Sequence, residues 1–247
     1  MKKIIYLFFI TTSIFLSSCS SDDSSENNNQ PSENLLLSQL IVGYDDGTSY
    51  IVNFSYEDDR LVGTSDNDGY EEVYTYTNNL LSRIDEYQDG TLERYGEFEY
   101  DSQNRLIEET YSFENTVIQS NNYSYDEQGV ITMTDDWGEY DYVLNDDGDI
   151  IEEIDVNGNQ DYIYTYDNQF NPFINLHQRE TLNLISGGFS MTMHNVTSST
   201  NTSGASVTDD FTTTYTYNSQ GFPVSGTTVY EPGTVNEETE TLQFIYN

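Results

Sequence analysis

One short phrase recurs along this chain: an aromatic residue, any residue, a second aromatic, a polar turn, then an aliphatic. It stands at Phe54–Leu61, Tyr74–Leu81, Phe98–Leu106 and Tyr123–Ile131. A degenerate copy is Tyr142–Ile150, and later ones are Tyr164–Pro172 and Tyr215–Pro223. Phe244-Ile-Tyr246 opens an eighth. Aromatics two residues apart fall on one face of a strand. Asp126-Glu-Gln-Gly129 has Asp first and Gly last, the signature of a type I turn. Asn145-Asp-Asp-Gly148 and Asn218-Ser-Gln-Gly221 repeat it, and Asp101-Ser-Gln-Asn104 replaces Gly with Asn.

A second turn class falls between these. Asp46-Gly47, Asp68-Gly69, Asp89-Gly90 and Asn157-Gly158 are tight-hairpin signals, with Glu114-Asn115 and Trp137-Gly138 in the equivalent gaps. The two classes alternate at intervals of about 11 residues, leaving strands of roughly 6 to 10 residues. The spacing predicts about eleven strands between residues 48 and 166, with a few more at the ends. Open sheets rarely exceed about ten strands. The expected fold is therefore all-β: a long antiparallel meander of repeated hairpins, strongly twisted or rolled on itself. The aromatic-phrase turns should lie along one edge, and the Asp-Gly turns along the other.

The rhythm breaks over residues 174–210, read as one irregular insertion. Leu176, Leu182 and Ile185 give a faint helical period, and Asn195 to Ser206 reads as loop. Residues 35–247 form the expected β domain.

The start of the chain reads as an address. Lys2 and Lys3 precede an apolar stretch, Ile4 to Leu16, too short to span a bilayer as a helix. Leu16-Ser-Ser-Cys19 resembles a lipobox, the bacterial lipoprotein signal. That resemblance implies a signal peptide over 1–18, a lipidated Cys19, and a membrane partner reached through lipid rather than through a helix. Residues 19–34 form an acidic tether. Its Cys-Ser-Ser-Asp-Asp opening is similar to the export signal of Bacteroidota lipoproteins, which implies an outer-membrane location facing the cell exterior. A solvated spacer on a periplasm-facing lipoprotein is the plainer alternative.

The Tyr-x-Tyr-Asp-x-x-Gly phrase resembles the YD repeat of Rhs and teneurin-type proteins. It is closer still to Bacteroidota lipoproteins built of divergent YD-like hairpins, a resemblance carried by Tyr166–Phe173 and Tyr217–Pro223. The resemblance brings no activity with it. Only Asn104-Arg105 approaches the Gly-Arg of the true repeat.

Charge narrows the partners. The chain carries 44 acidic against 7 basic residues, a net charge of −37. Cleavage before Cys19 would remove both lysines; five arginines against 44 acids then leave −39. Nucleic acid is excluded as a partner, because binding it needs clustered cations to displace counterions. With one cysteine, an internal disulfide framework is excluded too.

Three kinds of site remain. Asp155, Asn157, Asn159 and Asp161 space oxygen donors at alternate positions, as calcium loops do, although the Gly falls fourth rather than sixth. Asp146, Asp147 and Asp149 form a second acidic cluster, and Asp66 with Asp68 a third. The competing reading of all these residues is turn chemistry, which needs no cofactor. The 22 tyrosines, with Trp137, offer ring faces to a glycan or protein ligand, or else simply suit half-buried strands. Catalysis has only His177 and His194, both in the insertion, and no nucleophile motif. The expected function is a non-catalytic binding or adhesion module at the cell surface. The alternatives are an envelope-assembly lipoprotein without a small ligand, and a surface hydrolase.

Overall fold

The alternation of buried aromatics with exposed polar residues builds a closed antiparallel barrel of sixteen strands in the computed structural model. The structure describes residues 35–158, 161–188, 190–203 and 210–247. The signal peptide (1–18), Cys19 and the tether lie outside them. In chain order the strands are β1 (Leu37–Tyr44), β2 (Ser49–Glu57), β3 (Arg60–Asp66), β4 (Tyr70–Thr77), β5 (Leu80–Gln88) and β6 (Thr91–Tyr100). There follow β7 (Leu106–Phe113), β8 (Thr116–Tyr125), β9 (Ile131–Thr134), β10 (Glu139–Leu144), β11 (Ile150–Asp155) and β12 (Asp161–Phe170). After a short helix α1 (Arg179–Ile185) come β13 (His194–Asn201), β14 (Phe211–Tyr217), β15 (Pro223–Tyr230) and β16 (Glu238–Tyr246). Each strand pairs with its neighbours in sequence, and β1 closes on β16 from Leu37↔Tyr246 to Tyr44↔Glu240.

The expected eleven strands are β2 to β12, and the sheet rolls up until its edges meet. The two turn classes sit at opposite rims, because successive hairpins of a meander reverse direction. The rim of aromatic-phrase turns is called the floor below, and the other the mouth.

The phrase works through four parts. The turn residue Asp126 accepts the N–H groups of Gln128 and Val130 on one oxygen, at 2.9 and 2.8 Å. Asp101, Asn145 and Asn218 do the same for their own turns. The next residue with φ above zero is Gly129, Gly148 or Gly221, or Asn104 where Gly is missing. The following aliphatic is driven inward: Leu61 and Leu81 are fully buried, and Leu106 and Ile150 nearly so. Finally, the second tyrosine of the phrase donates its hydroxyl to the carbonyl of the aliphatic that opens the preceding strand. These bonds run Tyr56 to Leu37, Tyr76 to Leu61, Tyr100 to Leu81, Tyr125 to Leu106, Tyr166 to Ile150 and Tyr246 to Pro223, at 2.6–3.0 Å. On β14 the first tyrosine, Tyr215, makes the bond to Val196, while Tyr217 donates to Asp167. The degenerate copy has Leu144 where the tyrosine would be.

The tyrosine ladder is therefore an internal ring at the floor, not a solvent-facing platform. The rings are buried or half-buried, and the hydroxyls of Tyr56, Tyr76, Tyr100, Tyr125, Tyr166, Tyr215 and Tyr246 are spent on backbone. Among the described residues Trp137 is the most exposed aromatic, 85 % accessible, in the β9–β10 turn at the mouth.

The insertion is less irregular than its composition implies. His194–Asn201 is strand β13, which pairs with β12 and β14, where Asn195 to Ser206 had read as loop. Val196, Thr197 and Thr200 are β-branched and suit a strand once both neighbours need pairing. The faint helical period becomes the seven-residue α1. Residues 171–188 and 190–193 fold into the barrel as a plug. Phe173, Leu176, Leu182 and Met191 join the core, and the Phe173 ring meets Phe54 edge-on at 5.3 Å. The plug is tied to the floor by His177 N–H to the Asp59 carbonyl, by the Gln178 side-chain oxygen accepting from Leu81 N–H, and by Asn175 Nδ2 donating to the Leu35 carbonyl.

Outward-facing positions are mostly polar: Glu71 and Thr75 on β4, Glu97 and Glu99 on β6, Thr212, Thr214 and Thr216 on β14. Exposed apolar side chains are scattered, apart from Leu92, Phe113, Val117 and Ile118 near the mouth of β6–β8. A membrane-spanning barrel carries the opposite pattern, an apolar outer band around a polar interior. No described helix is long and apolar enough to cross a membrane.

Candidate functional site

A sixteen-strand wall encloses more room than its own side chains fill. The plug occupies the floor end, and the mouth end keeps a cup. Strand β4 shows how the sequence builds it: Glu71, Val73 and Thr75 face out, so Tyr70, Glu72 and Tyr74 face in. From β5 and β6 come Glu86 and Arg94, and from β7 and β8 Glu109, Tyr111, Asn121 and Tyr123. Two adjoining cavities result, of about 240 Å³ and about 230 Å³. Tyr111 of the wall and Ile185 of the plug line both.

Each carboxylate in the cup is held by a tyrosine hydroxyl. Tyr50 donates to Asp66 at 2.7 Å, Tyr74 to Glu72 at 2.6 Å, Tyr70 to Glu86 at 2.6 Å and Tyr123 to Glu109 at 2.9 Å. Thr64 adds a second donor to Glu72, at 2.8 Å. Arg94 Nε pairs with Glu86 at 2.8 Å, and its guanidinium lies 4.9 Å from the centre of the Tyr111 ring. Gly96 makes room for that ring, since a Cβ there would come within 2.9 Å of the Tyr111 edge.

Burial dominates the electrostatics. It pushes the hydroxyls of Tyr70 and Tyr74 well above the usual tyrosine range, and the neighbouring carboxylates push the same way. Burial also raises the Glu109 carboxyl, against the opposing hydrogen bonds from Asn121 and Tyr123. At Asp66 burial pushes upward too, but the Tyr50 hydroxyl and the N–H groups of Tyr70, Asp68 and Gly69 outweigh it and hold the group low. Glu109 is 3 % exposed, and its Oε2 has no hydrogen-bond partner.

The acidic clusters singled out in the sequence mostly build turns. Asp155 accepts the Asn157 N–H at 2.8 Å, and Asp161 accepts the Asp155 N–H at 3.1 Å. Asn159 lies outside the described residues. Among the described residues, no group of three His, Cys, Asp or Glu side chains is arranged to hold a metal. Asp149 is fully buried and accepts from Met193 N–H, His194 N–H and His194 Nδ1, so it fastens the end of the plug to the β10–β11 turn. His177 Nε2 meets the Asn79 carbonyl at the floor rim. Neither histidine lines the cup.

Sequence reasoning missed Glu72, Glu86, Arg94 and Glu109. The available signal was an acid on the aromatic face of a strand, as in Tyr70-Glu-Glu72-Val-Tyr74. An inward carboxylate is anomalous on a face otherwise filled by tyrosine.

No protein-family model matches the chain, and no curated protein matches it. Among solved structures it is similar to a porin-like protein from Bacteroides uniformis ATCC 8492, at 11% identity and a TM-score of 0.44, over 85% of this chain and 98% of that one. It is also similar to a chain of the Photorhabdus luminescens Tc holotoxin pore, at 16% identity and a TM-score of 0.21, over 79% of this chain. It spans 10% of that chain's length.

Proposed function

We propose that this protein is a lipid-anchored, non-catalytic binding module at the outer face of the outer membrane, and that it holds a small ligand in the cup at its mouth. The observation that carries the reading is the cup itself: tyrosine and carboxylate walls around two adjoining cavities between the plug and the mouth. The lipobox at Cys19 and the acidic tether support the anchor. The polar outer surface fits a barrel that stands off the membrane on lipid rather than crossing it.

A thermal-shift panel of amines, neutral oligosaccharides and peptides on the mature chain tests the binding claim, because a ligand of the folded state raises Tm by mass action. At least one class should shift Tm. Ile185→Trp, which fills space shared by both cavities, should abolish that shift. A panel flat for the parent chain refutes the reading. It would favour the envelope-assembly alternative, which closure of the sheet also suits. For the anchor, Cys19→Ser should move the protein from the membrane to the soluble fraction, and protease added to intact cells should remove it if it faces outward.

A further inference from the structure

We infer that the group held in the cup is an alkylammonium, a primary amine carried by a free polyamine or by a lysine-type side chain. The inference rests on the reading of the cup as a ligand site and names its ligand class. Two observations lead to it. The first is a surplus of negative charge. Asp66, Glu72, Glu86 and Glu109 face the cavities with Arg94 as their cation, and the tyrosine hydroxyls of Tyr50, Tyr70, Tyr74 and Tyr123 already donate to these carboxylates. Four carboxylates against one guanidinium leave the cup with surplus negative charge beside the tyrosine ring faces.

The second observation is Glu109 Oε2, an acceptor that is buried and unpartnered in a side chain lining the smaller cavity. A buried carboxylate oxygen without a donor is costly, and a ligand that brings one relieves the cost. An ammonium brings three donors and no acceptor. A sugar hydroxyl brings one donor but no charge to set against the carboxylates. The tyrosine faces suit a cation as well: Arg94 already lies over Tyr111. Glu72 and Glu86 line one cavity and Glu109 the other, so an extended diamine would meet carboxylates in both.

Isothermal titration of the mature lipoprotein in detergent tests this with three probes: spermidine, Nα-acetyl-lysine methylamide and maltotriose. Saturable amine binding is expected, weakened about tenfold by Glu109→Gln, as loss of one hydrogen bond to a charged group implies. Glu72→Gln should weaken it too, which keeps the test intact should Glu109→Gln fail to fold. Spermidine alone identifies a free polyamine, and the lysine derivative alone a peptide-borne amine. Amine binding insensitive to both substitutions and to Ile185→Trp is counter-ion binding to an acidic surface, and overturns the inference. Maltotriose binding with silent amines overturns it while leaving the cup reading intact. Silence from all three overturns it as well; the wider thermal panel then decides whether the cup reading also fails.

Discussion

Asp149→Ala should loosen the plug. Asp149 is fully buried, and one carboxylate oxygen accepts the N–H of Met193 at 2.6 Å and of His194 at 3.3 Å. The other meets His194 Nδ1 at 2.8 Å. Alanine keeps the backbone bonds of the β10–β11 turn, which run through Asn145, and removes the plug contacts together with one long bond from Asn145 Nδ2 at 3.4 Å. Two backbone donors and an imidazole would then face a void. Each unsatisfied buried group costs about 1–3 kcal/mol, and breaking a buried carboxylate pair costs about 3–5 kcal/mol. The expected loss is therefore about 3–5 kcal/mol in urea unfolding. Asp149→Asn keeps an oxygen for the two N–H groups, so about 1–2 kcal/mol is expected there. Limited proteolysis should cut Asp149→Ala within residues 171–193 before it cuts the strands. An Asp149→Ala chain within about 1 kcal/mol of the parent, with the same cleavage pattern, would refute the anchoring argument.

Tyr100→Phe removes the ladder bond to the Leu81 carbonyl and should cost about 1 kcal/mol in urea unfolding. Leu81→Ala empties a fully buried site at the floor and should cost about 2–5 kcal/mol by the same measure. Gly96→Ala puts a Cβ within 2.9 Å of the Tyr111 edge; the ring must move into the cup, so ligand shifts in Tm should shrink while circular dichroism stays the same. The raised Glu109 carboxyl makes the folded state bind its proton more tightly than the unfolded chain does. Its contribution is therefore lost as pH rises from the ordinary value of 4.5 through the raised one. Glu109→Gln should flatten stability against pH across that window, by no more than about 1.4 kcal/mol per pH unit.

The wall was legible in the sequence because local chemistry writes it. Asp126 and Gly129 set a turn whatever the rest of the chain does, and Tyr123 and Tyr125 share a face whatever they pack against. Closure was half legible. The strand count argued for rolling, but the β1–β16 register joins residues about two hundred positions apart, and no local signal encodes that pairing. The role of the tyrosines depended on it. In an open sheet, Tyr56, Tyr76 and Tyr100 would present their faces to solvent, while in a closed barrel the same faces become a lining. Strand β13 was hidden for a related reason. Its Ser, Thr and Asn residues read as loop until β12 and β14 stand on either side with unpaired backbone.

The cup follows from a division of labour along each strand. Toward the floor, the repeated phrase spends its tyrosines on neighbouring carbonyls and packs its leucines into the core that the plug joins. Toward the mouth, the phrase has ended and the inward positions are free to differ: Glu72, Glu86 and Glu109 stand where further apolar residues would have completed a core. A chain selected only for a stable barrel gains nothing from a buried carboxylate whose second oxygen has no partner. Glu109 stands there beside Asn121 and Tyr123, which secure its other oxygen, and it is on this side chain that the proposed ligand site rests.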